Sequence, residues 1–587
     1  MIINELSNLF GRLVEQGIDL PRLGWSKQEI SFRLVIDLKG NLVRIEDART
    51  QEVKRTPSSV LVPRKSGRTS GITPFFLCDN LKYLLGYGDE KSKGLLCFEE
   101  LKKKHLLYED EISSSEYSAV CRFLEKWEPS KCADVFREHG FNIDEFNNGV
   151  FRIQKIDENH DVHWDKTISS WWDNEGADKW SNSKKDLKKE YGICLVTGKN
   201  AIIARLHKPQ IKKWNHKLQK VDPMLVSFNH DSFESYGRKQ GSNAPISVQA
   251  VHAYCNALNW LITDNRHHVE LADSMVLFWT DAPKREDDDE FALFTRGSII
   301  PASLDAQDNG LVKNVADRMR KIAQGRPVLS PEDETKWAKT GFYILGLSPN
   351  NGRLSVRFFH RSSMKEWHDR LASHYLAMQL EPRKGFNDPE IISPAIILRE
   401  TVFQKEMDRV SPLSGGTLMR SILQGLPYPD SIAMDIMRRC RTDGEINYIR
   451  CAYLKAWLTR KRKDHPYKLT PMLDETNTQP GYVLGRLLAV LDKTQCDAIN
   501  PQRTIKDAYY GSASASPRSV FPRLMRMYRH HVNALKEFKV VREKQVQQIM
   551  SLLDGNIPAH LNPEQQGLFA LGFYHQMQAL FPTKNND

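Results

Sequence analysis

The alternation of apolar and polar residues that marks β-strands stops at about residue 362 of this 587-residue chain. Before that point, short runs of period two recur between turn residues. Beyond it, apolar residues recur at three- and four-residue spacing, broken by Pro and Gly. One segment cannot satisfy both periods, so the change separates two kinds of architecture. The pattern predicts an α+β chain: a large mixed N-terminal region with antiparallel strands and hairpins, then an all-α C-terminal helical bundle.

Local signals refine that reading. Residues 1–16 form an amphipathic pattern ending near Gly17. Residues 30–45 read as a hairpin about Lys39-Gly40-Asn41, and residues 57–80, rich in Pro, Gly, Ser and Thr, as a loop. Residues 115–140 read as helical. Ile193–Thr197 and Ala201–Leu206 form a second hairpin about Gly198-Lys199-Asn200. Residues 245–265 are helical, and 272–280 and 341–359 are strands, the latter a pair about Pro349-Asn350-Asn351-Gly352. Leu484, Leu487, Leu488 and Leu491 share one helix face. Asn562-Pro563-Glu564 is a helix start, with Asn as cap and Pro at the first helical position. The expected divisions are 1–110, an α+β region with a basic loop; 111–362, the rest of the α+β body; 363–470, a helical connector; and 471–587, a helical bundle.

Hydrophobic residues make up 40% and charged residues 27%. That composition excludes collagen-like, wholly disordered and disulfide-stapled classes. Nine scattered cysteines with no CxxC pair fit a reducing compartment. No apolar run approaches the ~18 residues of a membrane span. A cytoplasmic protein without membrane contact is expected.

No catalytic or metal-binding motif stands out. His267-His268 and His530-His531 are adjacent pairs, not the i, i+4 pairs that face one metal. His230-Asp231 and His368-Asp369 lack the further ligands a phosphohydrolase needs. Gly198-Lys199 has the wrong spacing for a phosphate loop, with Asn200 where Ser or Thr would hold Mg²⁺. The acidic run Asp287–Glu290 reads as a solvated loop. The absence of motifs does not exclude an enzyme, but each of these readings fails, and no cofactor and no metal are expected.

The net charge of +11 is unevenly placed. Residues 54–104 hold eleven Lys/Arg against five Asp/Glu, and residues 503–544 hold ten against three, leaving the remainder slightly acidic. In the first window, Arg64, Lys65, Ser66, Arg68 and Thr69 form a basic loop of small bulk. It suits a phosphate or a groove edge, and equally a merely solvated turn. In the second, Arg523, Arg526 and His530 share a helix face with Arg529 on its flank. Such a face can track a phosphate backbone or simply be solvated.

Segments spread over nearly the whole chain carry a family resemblance. They include VPRKSGRTSGITPFFLCDNLKYLLGYG at 62–88, CLVTG at 194–198, LVSFNHDSFESYGRKQGSNAP at 225–245 and FYILGLSPNNGRLSVRFF at 342–359. They continue with INYIRCAYLKAWLTR at 446–460, GYVLGRLLAVLDKTQ at 481–495, IKDAYYGSASASPRSVFPRL at 505–524 and QQGLFALGFYHQ at 565–576. Together they resemble the CRISPR-associated large subunit of the subtype I-C Cascade complex, the subtype I-C member of the Cas-eight group. The resemblance implies a subunit that is not a nuclease and works on a guide CRISPR RNA beside a repeated backbone subunit and a guide-processing subunit. It implies recognition of the protospacer-adjacent motif in double-stranded DNA, duplex opening, support of the displaced strand, and recruitment of a separate helicase-nuclease. It further implies that small-subunit copies arise from an internal start, for which Met472 is the candidate and Met434 and Met437 are upstream alternatives.

Under that resemblance, motif recognition falls on Arg64, Lys65, Ser66, Arg68 and Thr69, and on Asn229, Ser235, Tyr236, Gly237, Lys239, Gln240 and Asn243. Tyr236 would stack on an opened base, Gln240 would act as a wedge, and amides would read base edges; the same segment also reads as a buried polar turn that fixes the fold. Arg518, Arg523, Arg526 and Arg529 would hold the displaced strand. Two other classes stay open: a free-standing nucleic-acid-binding protein and an unrecognised nuclease.

Overall fold

The computed structural model describes residues 2–581 apart from 51–54, 64–70, 89–92, 155–159, 177–178, 181–189, 216–218, 302–308, 327–328, 384, 462–467, 536 and 554. The chain divides into two compact units, one of Met1–Gln210 with Val226–Ala257, the other of Ile211–Leu225 with Leu258–Asp587. The α+β character is as the periodicity predicts, with strands ending at Ser363 and helices following among the described residues.

In the first unit, helix Ile2–Glu15 buries Leu6, Leu9 and Leu13. The hairpin expected at 30–45 forms: Phe32–Ile36 pairs antiparallel with Leu42–Asp47. Asp37 Oδ1 accepts from the backbone N–H groups of Lys39 and Asn41, and Gly40 takes φ +78°. A Cβ at Gly40 would stand 2.7 Å from the Phe123 nitrogen, so this turn lies directly on helix Ser115–Lys126. Phe32–Ile36 also pairs in parallel with Asn148–Ile153, which pairs antiparallel with Cys78–Asn80 and His160–Asp161. Residues 57–80 are therefore not all loop, as their composition suggested. Ser58–Pro63 pairs with Trp25–Ile30, and Cys78–Asn80 joins the sheet. Distant pairing partners decide both strands, and local composition does not register them.

An aromatic cluster fills this core. Phe76 lies nearly parallel to Trp172 at 4.9 Å and edge-on to Trp180 at 4.9 Å. The indole N–H groups of Trp171, Trp172 and Trp180 donate to Glu111 Oε1, Gly24 O and Pro74 O, so their burial leaves no orphaned donor.

The second unit opens on a four-stranded antiparallel meander: His268–Leu271, Ser274–Thr280, Gly341–Asn350 and Arg353–Ser363. Asn351 and Gly352, both at positive φ, make its last turn, as predicted from their sequence. The first of these strands escaped the sequence reading. The acidic run expected in a loop instead opens helix Arg285–Ile299. Asp287 pairs with Lys336, Asp289 with Arg266 and Glu290 with Arg318, and Asp288 accepts from Thr280. Acidic side chains favour a helix N-terminus, where the backbone dipole is positive.

The helical half is organised on helix Pro480–Ile499. Sequence spacing assigned it one apolar face; Gly481 through Asp492 are all buried, so it is enclosed on every side. Helix Pro563–Leu580, capped by Asn562 as predicted, packs along it. A Cβ at Gly481, Gly485 or Gly572 would stand 2.1 Å from Gln565 O, Phe569 O or Tyr482 O. Helix Tyr448–Lys461 covers the other side of Pro563–Leu580, with a Cβ at Gly567 falling 3.2 Å from the Trp457 ring. Arg450, buried, is held by Glu400 at 2.8 Å and Asp443 at 2.7 Å.

Opposite substitution effects follow for two helical glycines. Gly11 has open space about its Cα. Gly11→Ala is expected to stabilise by up to about 1 kcal/mol through helix propensity. Gly485→Ala is expected to destabilise by roughly 3 kcal/mol, because backbone atoms of the facing helix cannot step aside. Urea midpoints of the two variants against the parent check both signs; a Gly485→Ala midpoint at or above the parent's would refute the close approach.

Candidate nucleic-acid interface

Eleven consecutive residues, 229–239, are exposed in the first unit. At their centre Ser235 and Arg238 bridge across a two-residue turn, with Arg238 N–H donating to Ser235 O at 3.0 Å. The turn residues are Tyr236 at φ +52° and Gly237 at φ +70°. This is the geometry that favours Asn-Gly. A tyrosine there costs about 1 kcal/mol of backbone strain, and its side chain is 98% exposed. The tip therefore pays for a conformation that gives the ring no burial in the free protein.

Asn243 holds this tip. Its Oδ1 accepts from Ser235 N–H at 3.0 Å, and its Nδ2 donates to Arg238 O and Gln240 O, each at 3.0 Å. Those bonds occupy the Asn243 amide, so it positions the loop instead of facing outward. Gln240, at φ +46°, accepts from Arg205 Nη1 at 2.7 Å and stands at the base of the loop, not at its tip. Gly241 lets the chain pass against the backbone of 204–205: its N–H donates to Arg205 O, and a Cβ would stand 2.0 Å from Ala204 O. Ser242 donates to Glu190 at 2.6 Å. Below the loop, Cys194 Sγ accepts from Ser247 N–H at 3.2 Å. Burial works against its thiolate, yet hydrogen bonds from Ser247 and Thr197 bring the thiol down to about 7.

The loop therefore gathers Ser235, Tyr236, Gly237 and Lys239 at one exposed tip, with Asn229 exposed on the approaching arm. Arg238, which the sequence reading passed over, is exposed beside Lys239, and neither has an ion-pair partner among the described residues. Asp231 and Glu234 on the opposite arm offset the two cations, so the loop is electroneutral. It offers a ring and amide groups more than a field.

The cationic surface lies in the second unit, on helix Pro517–Ala534. Phe521, Leu524, Tyr528 and Val532 are buried, leaving Arg523, Arg526, Arg529 and His530 exposed on the opposite face. From Arg523 to Arg529 this face runs about 9 Å. Arg523 lies 5.5 Å from the Tyr509 ring centroid. Arg526 and Arg529 have no ion-pair partner among the described residues. Arg518 differs: its Nε donates to Ile557 O at 2.9 Å and its Nη2 to Asn556 Oδ1 at 3.3 Å, which ties the helix start to a neighbouring turn.

Four other charges of the two basic windows are engaged by neighbours in the fold. Arg542 is buried on Asp497, Lys506 pairs with Asp507, Arg55 with Asp47, and Lys104 donates to Trp180 O. Burial pulls Lys104 down to about 8. The basic loop Arg64, Lys65, Ser66, Arg68 and Thr69 lies outside the described residues. Among those described, no group of three His, Cys, Asp or Glu could hold a metal, and no helix is long and apolar enough to cross a membrane.

The described residues thus offer two candidate nucleic-acid surfaces, a strained aromatic tip in one unit and a cationic helix face in the other. A family model for the CRISPR-associated protein Cas_Csd1 matches residues 6–581, and the chain belongs to that family. Membership supports the role of a Cascade large subunit. No curated protein matches the chain.

Removing the Asn243 clamp separates tip order from global stability. Asn243→Ala is expected to raise amide exchange at 235–238 at least tenfold, because three bonds of roughly 1 kcal/mol each restrain the turn. The thermal midpoint should hardly move, since the loop is exposed. Unchanged exchange across the turn would show that the clamp is not what orders it.

Proposed function

We propose that this protein is the large subunit of a subtype I-C CRISPR RNA-guided surveillance complex, and that it acts without catalysis. It reads the protospacer-adjacent motif in duplex DNA, and the 229–243 loop presents Tyr236 where the first base pairs part. The observation that carries this reading is the exposed Tyr236 ring at a strained turn, clamped by Asn243. Backbone strain retained at an exposed site is a mark of function, and an aromatic face stacks on any unpaired base. The wedge role thus passes from Gln240, bonded to Arg205, to Tyr236. Lys239 and Arg238, exposed beside the ring, meet flanking phosphates; Arg64, Lys65 and Arg68, which lie outside the described residues, join them in this reading on their charge alone. Arg523, Arg526 and Arg529 hold the displaced strand, with Arg518 setting the helix that carries them. Guide RNA pairing then reads sequence, and a separate helicase-nuclease joins the opened complex.

The small-subunit reading also gains support. Met472 is 62% exposed in an irregular stretch before helix Pro480–Ile499. Met434 and Met437 lie within helix Asp430–Asp443, so a start at either would cut that helix short. Met472 remains the candidate start.

The two DNA roles predict different losses. In the guide-loaded complex, Tyr236→Ala is expected to reduce opening at the motif-proximal pairs roughly tenfold, the worth of one base–aromatic stack. Fluorescence of 2-aminopurine placed beside the motif reads this. Arg526→Ala with Arg529→Ala is expected to leave motif choice intact and lower the log–log salt slope for single-strand binding by about 1.4. Opening unaffected by loss of the ring, or a changed motif preference in the arginine variant, overturns the assignment. A free-standing nucleic-acid-binding protein would instead bind DNA equally well when purified without guide RNA and the other subunits, and a nuclease would cut DNA alone with Mg²⁺.

A further inference from the structure

A cavity of about 540 Å³ lies within the second unit, between helices Met364–Met378 and Tyr448–Lys461, the segment 468–479 and helix Pro563–Leu580. Three cations line it: Lys455, Arg460 and Lys468. Lys455 and Arg460 are only 4% and 8% exposed, whereas Lys468 is exposed. Among the described residues, no carboxylate lines it. Lys455 Nζ donates to Ala377 O at 3.1 Å. Arg460 Nη1 donates to Ser421 O and Leu426 O, and its guanidinium lies 4.1 Å from the Tyr428 ring centroid. Arg460 Nη2, buried, has no hydrogen-bond partner among the described residues.

Two buried positive charges with no carboxylate among the described lining residues are costly, and an orphaned guanidinium N–H adds to that cost. Burial lowers both groups from their ordinary values, Lys455 to about 8, and for Arg460 the Tyr428 and Tyr453 hydroxyls offset this only in part. Thr459, Asn477 and Gln479 add polar groups to the lining, and Leu376, Leu458, Leu469 and Leu568 add an apolar wall. A ligand that fits must bring nearly two negative charges, several acceptors and room for an organic part. A carboxylate brings one charge. A phosphate monoester brings about −1.5 to −2 near neutral pH, and a cavity of this size falls within the usual range for small-molecule sites.

We propose that this cavity binds a phosphate group, with Lys455 and Arg460 neutralising it and Lys468 closing the rim. The phosphate is either free or the 5′-phosphate of a nucleotide, and the two sources are separable. The site stands apart from the DNA-reading roles above and does not depend on them.

Calorimetric titration of the full chain with inorganic phosphate, adenosine 5′-monophosphate and adenosine tests it. Saturable one-to-one binding of phosphate or the monophosphate is expected, with none for adenosine. Equal affinity for both phosphates means a free-anion site; tighter binding of the monophosphate means that the apolar wall takes the nucleoside. Lys455→Met is expected to weaken binding roughly tenfold or more, the worth of one charge-assisted bond. Lys468→Ala, on an exposed residue that folding does not need, should weaken it severalfold and carries the test should Lys455→Met not fold. No heat with either phosphate at millimolar concentration, adenosine binding as well as the monophosphate, or affinity unchanged in Lys468→Ala and in any folded Lys455→Met overturns the proposal.

Discussion

Where helix Pro480–Ile499 meets helix Pro563–Leu580, no side chain separates the two backbones. Gly481 and Gly485 offer one surface and Gly572 the other, each so close that a methyl group would overlap a carbonyl oxygen opposite. Close approach multiplies dispersion contacts that are individually tiny. It also fixes how these two helices lie against each other. Helix Pro517–Ala534 can point Arg523, Arg526 and Arg529 outward only because Phe521, Leu524, Tyr528 and Val532 are buried on its other side. The cavity with Lys455 and Arg460 has Leu568 of Pro563–Leu580 in its wall. Cationic surface and cationic cavity both depend on the same few missing side chains.

Sequence periodicity served best where an element's partner is near in the chain. The hairpins at Lys39–Asn41 and Asn351–Gly352 and the Asn562 cap are decided by adjacent residues, and all were legible. Ser58–Pro63 and Cys78–Asn80 were missed because their pairing partners lie far away in sequence. Helix Pro480–Ile499 was found, but its enclosure was not, since the four leucines marked one face and the glycines that admit a second helix looked neutral. The acidic run Asp287–Glu290 read as a loop because its partners Lys336, Arg266 and Arg318 are remote.

The same distinction holds for the candidate site. Tyr236-Gly237 was singled out as a segment, but nothing local shows that Asn243, seven residues on from Tyr236, spends its amide holding the turn. An amide able to donate and accept is equally able to clamp a backbone, and spacing alone does not choose. Charge was legible as a sum and misleading as a surface. Arg542, Lys506, Arg55 and Lys104 raise the count in the two basic windows, yet each is engaged within the fold. What remains outward on helix Pro517–Ala534 is a short row with unpaired Arg526 and Arg529.

A polypeptide beginning at Met472 would keep the glycine contact, because both helices lie beyond it. It would lose helix Tyr448–Lys461, which in the full chain covers Pro563–Leu580: Trp457 lies against Gly567, and Cys451 Sγ reaches Ala570 O. It would also lose Lys455, Arg460 and Lys468, and with them the cation wall of the cavity. The shorter product would retain Arg523, Arg526 and Arg529 and gain an uncovered apolar face, which in water demands a partner. In the full chain that face is already satisfied. The same helices thus suit one role when the chain is whole and another when it starts late: held in place by their own N-terminal neighbours, or free to dock on another subunit while presenting the same cations.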